Sequence, residues 1–490
     1  MLRRLIIAAF AAALLGVLGG CGDKKEDRSV VITDPLAEAL AHAPADAAVL
    51  AVVDTARRRG ASASLARLLA GGLTGGVIGT DTGSGDRAPG GPLTTGNVVV
   101  WSPRTGLRGR FSARVVADGE RLGEQLARRE DAGALERVGE DGDYTLYIDE
   151  AGGAVARRGP VFVTGPGPDA LRTVLERRRR RQAQWTPALL RERTLGLPLG
   201  AIARVSVDAG AELARTGAAA GRLPWVGALQ RVAVTITPEV RALRVRVRAS
   251  VAEGLPADAF PLAPGAEPPR IRGAGTAVAS VREPRQTLGF LRRAIDLLDP
   301  ERLADLRTAE ALVDRFANVS LQEDLIDRLA GSATVTSTDG RTVTLRSELD
   351  DPERTAGALG RLSTLATIGG PLAGLVGIDT GGLDVDEDDG VYTLTQDREL
   401  LVRLTVVDDL LVASNDPRAD LKAAARAPVR SAPALGAFRA TLDPAFLAQG
   451  LPQLGLPRAD PGLLASFGAA VLTARAEADG LDAQLILPVR

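Results

Sequence analysis

The sequence contains itself twice, and that limits its folds more than any other feature. VGEDGDYTLYIDEAGGAVARRGPVFVTGPGPDALRTVLER, from Val138, matches VDEDDGVYTLTQDRELLVRLTVVDDLLVASNDPRADLKAAAR, from Val385. In that register Gly142-Asp143-Tyr144-Thr145-Leu146 stands opposite Gly390-Val391-Tyr392-Thr393-Leu394, and Pro168 opposite Pro417. Upstream, Asp118, Glu120 and Arg121 fall opposite Asp351, Glu353 and Arg354. DAAVLAVVDT from Asp46 resembles GTAVASVREP from Gly275, and AIARVSVDAGAEL from Ala201 resembles AFRATLDPAFL from Ala437. Four blocks in one order imply a duplicated unit. The halves are 41–255 and 268–490, joined by a linker at 256–267 within the proline-rich Leu255–Pro269.

Each half reads alike. A short apolar strand (Val49–Val53; Ala277–Val281) leads to a helix (Leu65–Leu69; Leu288–Leu298), then two strands. Asp118 and Asp351 precede further helices, where a carboxylate accepts from free backbone N–H groups. Three short strands follow, with glycine turns at Gly142 and Gly390. Short strands joined by tight turns, with helices at intervals, predict α+β: two tandem halves, each a largely antiparallel sheet with packed helices. The halves differ at Gly71–Gly96, glycine-rich and read as a flexible loop, where the second half carries a helical stretch over Pro300–Ala330.

The amino terminus is of another kind. Arg3 and Arg4 precede an apolar run, Leu5–Leu18, too short for the roughly 20 residues of a membrane-spanning helix. Leu18-Gly19-Gly20-Cys21 follows, in the pattern of an export signal with a cleavage point. This LGGC segment resembles the lipobox of bacterial lipoproteins, with Gly19 where Ala, Ser or Thr is commoner. The resemblance implies a signal peptide at 1–20, a diacylglyceryl and acyl-modified Cys21, a flexible tether at 21–40, and anchoring to the extracytoplasmic face of a bacterial membrane. Two acyl chains would hold stably where one would not. Cys21 is the only cysteine, so no intramolecular disulfide forms.

Composition removes several functions. Net charge is −1, without the basic excess of a nucleic-acid binder. Aromatics are 3% of the chain, which argues against sugar-stacking platforms; Trp101, Trp185 and Trp225 read as packing residues. The single histidine, His42, lies where tether meets domain and reads as a solvated linker residue, not a catalytic base. No His/Cys cluster suggests zinc or iron. Asp384–Asp389 has the wrong spacing for an EF-hand and reads as a solvated acidic hairpin. The Gly71 stretch lacks the Gly-Lys-Ser/Thr of a phosphate loop. Arg177–Arg181 spread around a helix end, where the dipole favours them; anionic lipid heads or wall polymers are the functional alternative.

PADAAVLAVVD after the tether, and LIDRLAGSATVT from Leu325, resemble the uncharacterised bacterial family known as domain of unknown function thirty-three fifty-two. That resemblance implies an envelope location and α+β structure, with no catalytic residues and no cofactor. The sequence therefore points to a non-catalytic binding or structural module of the envelope, with an envelope protein or lipid as partner. A carrier of an apolar ligand in a groove, and a hydrolase using carboxylates, are the alternatives. A continuous apolar cavity would favour the carrier, and a cleft with close buried carboxylates the hydrolase.

Overall fold

The computed structural model describes residues 32–54, 60–74, 97–103, 109–198, 200–216, 219–300, 307, 310–311, 313–315, 317–375, 383–431, 436–446 and 461–490. Cys21, the signal segment and the tether up to residue 31 lie outside the described residues, as does 75–96 of the glycine-rich segment.

The first half contributes ten strands: β1 (Val49–Asp54), β2 (Asn97–Ser102), β3 (Phe111–Val115), β4 (Leu135–Asp141), β5 (Tyr144–Asp149), β6 (Ala154–Arg158), β7 (Val161–Gly165), β8 (Ala203–Asp208), β9 (Leu229–Pro238) and β10 (Ala242–Val251). The second contributes β11 (Arg270–Arg272), β12 (Ala277–Arg282), β13 (Leu329–Ser337), β14 (Val343–Leu349), β15 (Leu383–Asp388), β16 (Val391–Gln396), β17 (Glu399–Val407), β18 (Leu410–Ser414), β19 (Val429–Ser431), β20 (Phe438–Leu442), β21 (Ala470–Glu477) and β22 (Gly480–Pro488).

The strand order of the first half is β4-β5-β6-β7-β3-β2-β1-β8-β9-β10. The second repeats it as β15-β16-β17-β18-β14-β13-β12-β20-β21-β22. All these ladders are antiparallel, so the architecture is α+β. The duplication is thus one of topology as well as of sequence.

The two sheets do not end separately. β10 and β22, the equivalent last strands, pair antiparallel and join everything into one 20-stranded sheet. The hairpins β9–β10 and β21–β22 close at equivalent positions, Glu239/Ala242 and Glu477/Gly480. On that equivalence Arg246 matches Gln484, and these two residues are paired with each other. Equivalent residues facing each other define a local two-fold axis, the geometry of an isologous dimer interface built within one chain.

Packing crosses this seam. Leu65, Ala66 and Leu69, on the helix Ala61–Thr74, share a core with Ile236, Leu243, Leu464, Phe467 and Leu487. That helix takes in Gly71–Thr74, which the sequence placed in a flexible loop. The 256–267 linker is packed as well: Phe260 and Leu262 are buried with Ala437, Ala474 and Ala476. The expected helical stretch 300–330 ends earlier than its apolar spacing indicated, because Leu329 and Ala330 already belong to β13.

Asp118 and Asp351 do start helices, Gly119–Asp131 and Pro352–Leu375; each carboxylate accepts from the backbone N–H three residues on. The repeat register near Tyr144 needs correction. Asp141 pairs with Tyr144 across one two-residue turn, and Asp388 with Val391 across the other. The structural match of Tyr144 is therefore Val391, and that of Tyr392 is Thr145. Strand side chains alternate, so a one-residue slip changes the face. Tyr144 packs with Leu146 into the core beneath the helices Pro35–Leu40 and Pro168–Arg179. The Tyr392 hydroxyl instead lies by Gly360 of the helix Pro352–Leu375.

The two halves cover matching sheet faces differently. In the first half the face is apolar, with Leu50, Val52, Val99, Trp101, Phe111 and Ala113 under helices. In the second, Ser280, Thr334, Thr336 and Ser414 are buried on the sheet, and the ribbon β11–β19 lies over it. A helix satisfies its own backbone, whereas a two-stranded ribbon has outward N–H groups that need acceptors. Arg270 N–H donates to Ser332 Oγ and Arg272 N–H to Thr334 Oγ1. The covering element thus explains why one face is hydrocarbon and the other hydroxyl.

Candidate functional site

Asp34 caps a helix at Pro35–Leu40, accepting from the N–H groups of Leu36 and Ala37, with proline in the first position. Ala39 and Leu40 are fully buried. Residues 35–40 are therefore part of the folded domain, not of the flexible tether to which the sequence assigned 21–40. The helix is too short for hydrophobic periodicity to be visible.

His42 follows it and is 3% exposed, so the reading as a solvated linker residue does not hold. Its Nδ1 lies 2.9 Å from the Glu38 carbonyl, which only accepts, so Nδ1 carries the proton. Nε2 is then the acceptor, 2.8 Å from the Tyr144 hydroxyl and 3.0 Å from Arg178 Nη1. Arg178 also donates to the Tyr144 oxygen. Glu38 Oε1 takes one hydrogen bond from Arg158 and one from Arg178, each 2.6 Å. Burial, with Arg178 and Arg158 beside it, lowers the His42 pKa to about 3. Burial also raises Tyr144 to about 12, against the pull of the two arginines. Both rings are neutral at physiological pH, and the cluster pins the first helix to β5, β6 and the helix Pro168–Arg179.

On the other side of His42 opens a cleft of about 620 Å³. Arg177 and Arg178 from the helix Pro168–Arg179, Arg193 from the helix Pro187–Arg193 and Arg231 from β9 reach it. Asp46, Asp208, Gln182 and Gln184 complete its polar lining. Asp208 Oδ1 caps a following helix through the Ala211 N–H. Burial lowers the pKa of Arg231, and Arg193 nearby lowers it further, while Asp208 and Glu192 oppose the change. The Arg193 guanidinium stacks 5.5 Å from the Trp185 ring centroid.

The five-arginine run does not act as one. Arg178 turns inward, Arg177 lines the cleft, Arg179 pairs with Asp141, and Arg180 pairs with Glu176. No protein-family model matches the chain, and no curated protein matches it. Among solved structures, crystal form III of TP0453 aligns at 11% identity over 45% of this chain and 81% of that one, with a TM-score of 0.28. Crystal form I of TP0453 gives 12%, 44%, 78% and 0.28. Scores of this size assign no function.

The acidic hairpin and the tryptophans are not among the residues lining the cleft. Asp384–Asp388 lie on β15 and Asp389 in its turn, where Lys422 Nζ is 2.5 Å from the Asp389 carboxylate. Among the described residues no group of three or more His, Cys, Asp or Glu is placed to hold a metal. Trp101 and Trp185 are buried in the first-half core. The arginine cleft itself was hidden in the sequence, because Arg177, Arg193 and Arg231 belong to three elements.

Proposed function

We propose that the chain is a lipoprotein anchored through Cys21 to the extracytoplasmic face of a bacterial membrane, where it acts as a non-catalytic binding module. The observation that carries the binding reading is the cleft beside His42. Its lining brings together four arginines, two aspartates and two glutamines, which suits a charged group. The packed cores on both sides of the seam leave the sheet as a rigid support for that surface. Anchoring rests on the LGGC segment. Among the described residues no helix is long and apolar enough to cross a membrane. The 13 residue steps from Cys21 to Asp34 would reach at most about 45 Å, so the first half would stay near the bilayer.

Two experiments test this. Cells expressing the chain or Cys21→Ser are labelled with an acyl-chain probe; labelling confined to the chain with Cys21 supports anchoring, and equal labelling removes it. Cross-linking in cells, followed by purification with lipids and proteins retained, identifies what the module holds. Recovery of an apolar ligand in stoichiometric amount would favour the carrier instead.

A further inference from the structure

We infer that the cleft beside His42 is a binding site for a phosphate group, borne by a soluble phosphate or by a lipid headgroup. The anion site stands on the geometry alone; only a membrane headgroup as its source rests on the anchoring proposed above.

With Arg178 already paired to Glu38, the lining sets Arg177, Arg193 and Arg231 against Asp46 and Asp208, three cations to two carboxylates. Among the described residues, Arg177, Arg193 and Arg231 have no carboxylate within 4.0 Å. Arg193 Nε is buried and makes no hydrogen bond. Arg193 and Arg231 also repel each other, and an anion between them would turn that repulsion into attraction.

The cations are not on loops. Two helices and one strand present them, with Arg178 fixed through Glu38 and Arg193 held over Trp185. Guanidiniums presented by three separate elements suit a tetrahedral oxyanion, which has oxygens on every side, better than a flat carboxylate with two. The half-buried Gln184 and the exposed Gln182 stand at the same cleft with amide donors.

The test uses the full chain carrying Cys21→Ser, which removes binding driven by the lipid anchor. Inorganic phosphate and glycerol phosphate are titrated by calorimetry and by Trp185 emission, with Trp185→Phe identifying the signal. Sedimentation with phosphatidylglycerol or phosphatidylcholine vesicles forms the second arm. The expected result is saturable binding in at least one arm, weakened about tenfold or more by Arg193→Gln or Arg231→Gln. Arg128→Gln, at an exposed pair with Glu124, leaves it unchanged. Binding of the soluble phosphates alone, or of phosphatidylglycerol vesicles alone, supports the site and identifies the source. No saturable binding in either arm overturns it, as does equal weakening by Arg128→Gln. Arg231→Lys, which keeps the charge but loses the fork, separates lost binding from lost fold: partial binding is expected. Failure here leaves the acyl-labelling result untouched, so the two proposals fail separately.

Discussion

His42 Nε2 accepts a hydrogen bond from the Tyr144 hydroxyl at 2.8 Å, across 102 residues of sequence. Nδ1 donates to the Glu38 carbonyl, and Nε2 can accept only while the imidazole is neutral. The fold therefore holds the His42 pKa at about 3, below the unfolded value of 6.5. Below pH 6.5 the unfolded chain binds a proton that the native chain does not, so stability is lost as pH falls from 6.5 towards 3. At roughly 1.4 kcal/mol per unit, this amounts to about 2 kcal/mol by pH 5. The chain has one histidine, so no other imidazole contributes. Urea midpoints measured from pH 7 to 5 should fall steeply for the native sequence and much less for His42→Asn. In NMR the single imidazole should not titrate above pH 4.

Among the described residues Glu38 is the only carboxylate that both Arg158 and Arg178 reach, and all three side chains are about four-fifths buried. Glu38→Gln leaves the largely desolvated Arg178 without its carboxylate partner and Arg158 with the more exposed Asp143 alone. The expected loss is about 2 kcal/mol, less than for a fully buried pair because water still reaches the cluster. Tyr144→Phe should cost about 1 kcal/mol, since Arg178 can still donate to His42. Chemical denaturation of each variant measures both. A smaller loss for Glu38→Gln than for Tyr144→Phe would contradict this ordering.

The sequence made the duplicated topology legible because apolar strands, turn glycines and helix-capping aspartates are local signals. The cluster at His42 was not legible. Asp34-Pro35 is a helix-start signal, but six residues are too few for an apolar stripe. The partners Tyr144, Arg158 and Arg178 come from distant elements, and the arginine run gives no hint that Arg178 alone turns inward. The match of Tyr144 with Tyr392 misled because the two turns differ in order, Gly142-Asp143 against Asp389-Gly390. Aligning the glycines shifts the strands by one residue, and only the backbone pairing reveals it.

The seam makes a sharper prediction. A Cβ on Gly480 would lie 1.9 Å from the Ala249 carbonyl oxygen and 2.9 Å from its carbon. These are backbone atoms of the pairing partner β10, so they cannot rotate away. Gly480→Ala should cost about 3 kcal/mol and loosen the contact between halves. Gly289, within the helix Pro284–Leu298, has open space around the same added atom. Gly289→Ala should stabilise by about 0.5–1 kcal/mol through helix propensity. Thermal melts of both variants, with proteolysis between the halves for Gly480→Ala, check the contrast.

The hydroxyl face of the second half supplies the last prediction. Thr334 Oγ1 accepts from the Arg272 N–H at 3.2 Å and exchanges a hydrogen bond with Ser280 Oγ at 2.9 Å. Thr334 and Ser280 are each 1% exposed, so water does not replace a lost partner. Thr334→Val keeps the shape and removes the hydroxyl, leaving a ribbon N–H and the Ser280 hydroxyl short of a partner. The expected cost is about 2 kcal/mol. Thr334→Ser keeps the hydroxyl and loses one buried methyl, for about 1 kcal/mol. The two also differ in kind: Thr334→Val should speed amide exchange at Arg272, and Thr334→Ser should not. Equal stability of Thr334→Val and the native chain would mean that the ribbon β11–β19 is held by its side chains and not by the hydroxyl face beneath it.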